Sequence, residues 1–212
     1  MKKIYALFGD DQQLSPFNLG SEAASQTMAQ LFPALRAYRQ FERGPKQLAN
    51  LVLAPYLASA ELWLDTADDA AEILGALRAA ATTLPCVFAR DPALLVESQE
   101  HNISGEPLND SGFKATFLFN RKTSMDLQAF HSYWLNHHGP IAAKTQDAER
   151  YVQSHVCEPE RVYDGITELF WRDHDTALAS MASQQMIVDQ SNDSQNFVDG
   201  GSLVVFLSSE TP

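Results

Sequence analysis

This chain has few of the residues that usually betray a chemistry. Its 212 residues include two cysteines, Cys86 and Cys157. The pair makes neither a zinc-ligand spacing nor a disulfide framework. Each reads as a small buried hydrophobe rather than a nucleophile, and a reducing cytoplasm suits such a chain. Positive charge is also scarce. Fifteen Lys and Arg stand against 27 Asp and Glu, for a net charge of −12 and a pI near 4.8. A polyanion repels phosphate backbones, which argues against nucleic acid as a partner. No basic amphipathic stretch suits an anionic membrane surface. Long apolar runs are missing too, and no segment reaches the roughly 20 residues of a transmembrane helix. The opening MKKIYALFGDDQQ begins as a signal peptide does, but its apolar run is short and ends in Asp10 and Asp11. Gly200-Gly201 leads into a strand pattern rather than a helix, so phosphate cradling is unsupported. No serine-nucleophile motif is present.

What remains is an ordered alternation of strand and helix patterns. The length suits one large domain or two of about 100 residues each. The first half reads as strand 2–9, a helix around GSEAASQTMAQLF, strands 35–42 and 56–65, an amphipathic helix over 68–81, and short closing strands in CVFAR and ALLVES. The second half reads as strand 113–120, a helix from about Met125 to His138, strands 151–156 and 166–172, a helix over 175–186, a polar loop, and strand 202–209. That is β-α-β-β-α-β twice, the ferredoxin-like order. AELWLDTADDA aligns without a gap on TELFWRDHDTA, matching Glu61 to Glu168. YRQFE aligns on YVQSH, matching Tyr38 to Tyr151 and Gln40 to Gln153. Order plus spacing argues for a tandem duplication, with repeats over 1–103 and 112–212. The Gly-, Pro-, Asn- and Ser-rich stretch NISGEPLNDSG forms the boundary. The expected fold class is α+β: two ferredoxin-like repeats whose sheets pack into one α/β barrel. The space between the sheets is then the natural ligand site. Phe113, Phe117, Phe119, Trp63, Trp171 and Phe206 are the aromatic mass that could instead fill it.

The stretch FHSYWLNHHGPIAAK concentrates chemistry. Phe130, Trp134 and Ile141 fall near one helical stripe, with His137 and His138 flanking it. Pro140 disfavours helical geometry at Gly139, so the helix should end at about His138. A histidine there can cap carbonyls, the reading adopted for His137, or move protons near neutral pH. His138 stays open between the two roles. His131 reads as a solvated surface residue. The adjacent pair His137 and His138 diverges by about 100° around a helix and cannot share a metal. In YVQSHVC, Tyr151, Gln153, His155 and Cys157 share one strand face. The valines would pack on helices, and the polar face would look into the barrel near His138. Alternatively, Tyr151 and His155 are hydrogen-bonded core residues at the sheet rim. Glu168, matched by Glu61 in the other half, reads as structural.

Taken as a set, FHSYWLNHHGPIAAK, RYVQSHV and YDGITELFW resemble the EthD family of dimeric α/β-barrel proteins. The residues that carry the likeness are Phe130, Trp134, His138, Pro140 and Ile141, then Tyr151 and Gln153, then Asp164, Gly165, Glu168, Leu169 and Phe170. The likeness covers about residues 113–209. The first half has no His-x-Pro at the matching place, where MAQLFPALRAY stands. Relatives of this barrel include lactone isomerases, polyketide cyclases, small monooxygenases and haem enzymes. The resemblance implies a small-molecule enzyme, an isomerase, cyclase or lyase. Its substrate would be an aromatic, lactone or polyketide-like carbonyl compound. In this reading His138 is catalytic, and Trp134, Tyr151, Gln153 and His155 bind substrate. No cofactor is implied; the alternative is an oxidative enzyme, cofactor-free or haem-dependent with a histidine axial ligand. A non-catalytic small-molecule-binding protein is the third reading. The expected partners are a small apolar or aromatic ligand and, as an oligomer, a homodimer of fused barrels.

Overall fold

The computed structural model describes residues 1–9, 15–44, 47–79, 87–108, 112–157 and 161–210. The N-terminal half supplies β1 (Lys2–Gly9), α1 (Ser21–Leu31), β2 (Leu35–Arg43), β3 (Tyr56–Leu64), α2 (Ala67–Ala79) and β4 (Leu94–Ser104). The C-terminal half supplies β5 (Phe113–Phe119), α3 (Leu127–Tyr133), α4 (Gly139–Ala142), β6 (Arg150–Val156), β7 (Gly165–Trp171), α5 (His174–Met181), α6 (Ser191–Ser194) and β8 (Val204–Glu210). Two wide π-helical turns complete this half: Trp134–His138 between α3 and α4, and Gln185–Gln190 leading into α6.

The eight strands close in the order β1-β3-β2-β8-β5-β7-β6-β4, with every pairing antiparallel. Each half orders its strands alike, β4-β1-β3-β2 and β8-β5-β7-β6, and the halves join edge to edge at β2–β8 and β4–β6. Closure leaves no open strand edge for another chain to pair with. The α+β barrel expected from the sequence is present.

Strand alternation sorts the side chains into two environments. On β5, Phe113, Ala115, Phe117 and Phe119 lie in the apolar layer under the C-terminal helices, with Leu169 and Trp171 of β7. Ile4, Ala6 and Phe8 of β1 lie under α1 and α2, with Leu62 and Leu64 of β3. The alternate residues point into the barrel. At one end these are apolar: Tyr5, Leu7, Phe41, Leu118, Ile166 and Phe206. At the other they are charged.

The barrel interior is therefore not the expected ligand space. Lys3, fully buried, sits 2.5 Å from Glu168, 2.9 Å from Glu61 and 3.6 Å from Glu100. Lys114 lies 2.5 Å from Glu61 and 3.1 Å from Glu168. Arg150 reaches Glu100 at 3.5 Å, and Trp63 Nε1 donates to Glu100 at 2.6 Å. Tyr5 donates to Glu168 at 3.0 Å. Each charge has an opposite neighbour, as burial demands. Burial pulls Lys3 toward neutrality, but Glu168 and Glu61 outweigh it and hold the ammonium protonated. Burial likewise pushes Glu168 up, and Lys3 with Lys114 brings it below the ordinary carboxylate value. Glu61 and Glu168, matched in sequence, thus meet across the barrel on the two lysines. Of the aromatics considered as filling, only Trp63 and Phe206 point inward.

Several local expectations change. Only the second of the two closing strands expected before the midpoint forms; Phe88 makes a single bridge to Phe17, and Cys86 lies outside the described residues. The helix expected over 68–81 is described to Ala79, and residues 80–81 lie outside the description. β4 runs on to Ser104, so the expected boundary segment begins inside a strand; residues 109–111 are likewise outside the description. Cys157 is exposed rather than buried. The polar loop expected after 186 is the second π turn and α6.

Candidate functional site

The helix carrying His138 does not stop there. Asp126 caps its start, accepting from the Ala129 amide at 2.7 Å. Pro140 lacks an N–H and its ring crowds the carbonyl four residues back, so regular α-helix cannot run through it. The chain answers by widening into the π turn Trp134–His138, after which Gly139–Ala142 continues as helix with Pro140 in its first turn. Gly139 is right-handed helical, not a C-terminal cap. The Gly139 amide donates to the Trp134 carbonyl, five residues back. The widened turn carries Trp134 and His138, both buried, toward the sheet.

His138 does not cap carbonyls. Its Nδ1 bonds Asp193 Oδ2 at 2.8 Å. Tyr133 donates to the other carboxylate oxygen at 2.7 Å, and Asn196 approaches it at 3.5 Å. Burial pushes Asp193 up, but the bonds from Tyr133 and His138 hold it below its ordinary value, so it stays ionised at neutral pH. Burial pushes His138 down, opposed by Asp193. The resting ring is neutral, with its proton on the Nδ1 that faces the carboxylate. The lone pair of Nε2 is left for a ligand.

A half-open cavity of about 310 Å³ lies beside this ring, outside the barrel, between the sheet and the C-terminal helices. Phe117, Phe119, Thr167 and Leu169 form its floor. Trp134 and His138 form one wall. Met181, Met186, Gln190, Ser191 and Ser194 form the other, with Phe197 at the corner. Phe197 meets the His138 ring edge-on at 4.9 Å.

Of the residues singled out from sequence, His138 and Trp134 line this cavity. Tyr151, Gln153 and His155 do not. The expectation that their strand face looks into the barrel is reversed: Arg150, Val152, Ser154 and Val156 point inward, because β6 pairs Val152 with Glu168. The other three lie under α3, buried. Gln153 Nε2 donates to the Trp134 carbonyl at 3.0 Å and to Tyr151 Oη at 2.8 Å, bracing the π turn. In the first half Gln40 donates to Tyr38 Oη at 2.9 Å, the same bond. His155 stacks on Trp134 at 4.7 Å and on His131 at 4.4 Å; His101 adds a third imidazole at 4.4 Å. Burial pushes His155 down to about 2. His131 is half-buried in this stack rather than solvated, while His137 is exposed, 3.4 Å from Asp193. Asp193 was not legible in the sequence. It sits in the polar run SNDSQNF, far along the chain from His138, with no local spacing to signal the pair.

Residues 122–201 match the EthD domain model. The matched residues span α3, the cavity walls, Asp193 and His138. An EthD family protein from Bacillus halodurans is similar over 47% of this chain and 98% of its own, at 20% identity and a TM-score of 0.41. An anthrone oxidase-like protein covers 100% of this chain and 91% of its own, at 9% identity and a TM-score of 0.62. A chlorite dismutase from Candidatus Nitrospira defluvii covers 100% and 91%, at 10% identity and 0.56. At such identities the last two likenesses show the barrel fold. No curated protein matches the chain.

Haem, the alternative named from sequence, does not fit this cavity. A haem brings two propionates, and the described lining has no Lys or Arg to meet them. No group of three or more potential metal ligands converges among the described residues. No described helix is long and apolar enough to cross a membrane.

Proposed function

We propose that the EthD half is an acid/base enzyme for a small apolar carbonyl compound, aromatic, lactone or polyketide-like, of the isomerase, cyclase or lyase type. The observation that carries this reading is the His138–Asp193 pair at the wall of an aromatic-lined cavity. His138 Nε2 takes a proton from the carbon next to the carbonyl, leaving an enolate. The resulting imidazolium lies against Asp193, whose negative charge stabilises it. Asp193 is a positioning residue here, fixing the tautomer that presents an unprotonated Nε2. The enolate oxygen needs a donor, and Ser191, a lining residue that carries a hydroxyl, is the group assigned to it in this reading. Tyr151 and His155, first considered for that task, instead support the helix that carries the base.

In this reading the chain is a tandem duplication with one working site. The Lys3–Glu61 and Lys114–Glu168 arrangement and the Tyr38–Gln40 and Tyr151–Gln153 bonds recur in both halves, which supports it. The N-terminal half then serves to close the barrel. The test is turnover of a panel of aromatic ketones and lactones by wild type and His138→Ala, with folding checked by circular dichroism. The reading expects at least about a hundredfold loss in a folded variant. Undiminished turnover in that variant removes the mechanism.

A further inference from the structure

The cavity wall carries a second message, which rests on the reading of this site as a ligand pocket. Its described polar lining is uncharged: the neutral imidazole of His138 with Thr167, Gln190, Ser191 and Ser194. No cation is present among the described lining residues. The Asp193 carboxylate lies behind His138, mostly buried. Its negative charge is already engaged by Tyr133 and His138. The rest of the lining is aromatic or aliphatic, with Met181 and Met186 able to adapt their shape to a flat ligand. Much of the polar capacity is also committed inward. Gln190 Nε2 donates to Thr145 at 2.6 Å and to Gln185 at 2.8 Å, and the Ser194 hydroxyl donates to the Gln190 carbonyl at 2.7 Å. Thr167 is engaged by a side-chain hydrogen bond with Tyr151, which leaves Ser191 and the His138 Nε2 to meet a ligand.

We infer that this pocket selects by charge: it takes an uncharged compound with one polar edge and rejects the same skeleton bearing a carboxylate or phosphate. An anion entering here loses its water and finds no positive partner, and it also meets the field of Asp193. A ketone or lactone oxygen loses far less hydration and needs a single donor. This is a specificity device, since the repulsive element and not an added contact sets the discrimination. It also predicts the chemistry of the neighbouring step. An acidic precursor would have to be esterified, lactonised or decarboxylated before it reaches this site.

The test uses two compounds of nearly equal shape, 2-acetonaphthone and 2-naphthoate, which differ by a methyl ketone against a carboxylate. Binding to the whole chain is measured by titration calorimetry at pH 7.5, at low salt and at 0.5 M salt. High salt screens the general repulsion from the chain's net charge but not a local buried field. The expected result is at least about tenfold tighter binding of the ketone under both conditions. In Ser191→Lys, which places an ammonium at the exposed rim, the ratio should narrow or invert. Asp193→Asn should narrow it too, and serves if the lysine variant does not fold. Equal affinities in wild type at high salt overturn the charge selection and leave the ligand pocket standing. Saturable binding of neither compound removes the pocket as a ligand site, and the selection with it.

Discussion

Gly165 shows how tightly one residue can hold this site. A Cβ there would lie 2.7 Å from Trp134 Cζ3 and 3.2 Å from Phe119 Cε2. Trp134 has little room to yield, because it stacks on Phe130 at 5.5 Å and on His155 at 4.7 Å. Its easiest retreat is into the cavity it lines. Gly165→Ala should therefore destabilise the fold by about 1–3 kcal/mol, the usual cost of overpacking, and weaken any cavity ligand. Denaturant midpoints and a titration read the two effects. A neutral change in both would show that Trp134 is not wedged. In the sequence Gly165 is legible only as one of the residues that carry the family likeness. Its duty here, clearance for a ring from another element, depends on tertiary contact and leaves no trace in local pattern.

At the scale of elements, the π turn is the device that aims His138. Composition and spacing placed the helix, its Trp134 stripe and its disturbance at Gly139-Pro140. They suggested termination, because proline normally ends a helix; widening is the rarer answer, and the Trp134 carbonyl, which accepts from the Gly139 amide, accepts also from Gln153 on β6. Gln153→Leu removes that bond and the one to Tyr151. It should cost about 1–3 kcal/mol and speed hydrogen exchange at the Gly139 amide. Unchanged exchange would mean the turn stands without its brace. The imidazole stack joins three elements: His101 on β4, His155 on β6 and His131 on α3. Burial lowers all three titrations, as it does that of His138. Their folded-state values lie below the unfolded value near 6.5, so their contribution is complete above about pH 6.5. It is lost as pH falls below that, where the unfolded chain binds protons that the folded chain does not. His155 alone contributes about 1.4 kcal/mol per pH unit there. Urea midpoints should fall from pH 7.5 to pH 5.5, and by less in His155→Phe. An equal fall in both proteins would place the acid sensitivity elsewhere.

At the scale of the molecule, the repeated order and the barrel were legible because strand and helix periods are local properties. The matched glutamates, Glu61 and Glu168, were legible as a pair and as structural. What filled the barrel was not. Which strand face turns inward depends on register, and a slip of one residue exchanges the faces. YVQSHV gave no means of choosing, since both of its faces are buried. The chosen register puts a network of paired charges on the barrel axis and moves the cavity outside, under the helices. Glu168→Gln leaves Lys3 and Lys114 short of an anion, and should cost about 3–5 kcal/mol, seen as a lower denaturant midpoint without loss of the cavity. A cost below 1 kcal/mol would show that water satisfies these charges. The central claim is that His138 Nε2 removes a proton from carbon in that outer cavity. Its most direct test is hydrogen–deuterium exchange at the methyl group of 2-acetonaphthone in D₂O, followed by proton NMR with wild type and with folded His138→Ala. The account predicts exchange accelerated by wild type and returned to the buffer rate by the substitution. Equal rates in the two proteins would contradict it.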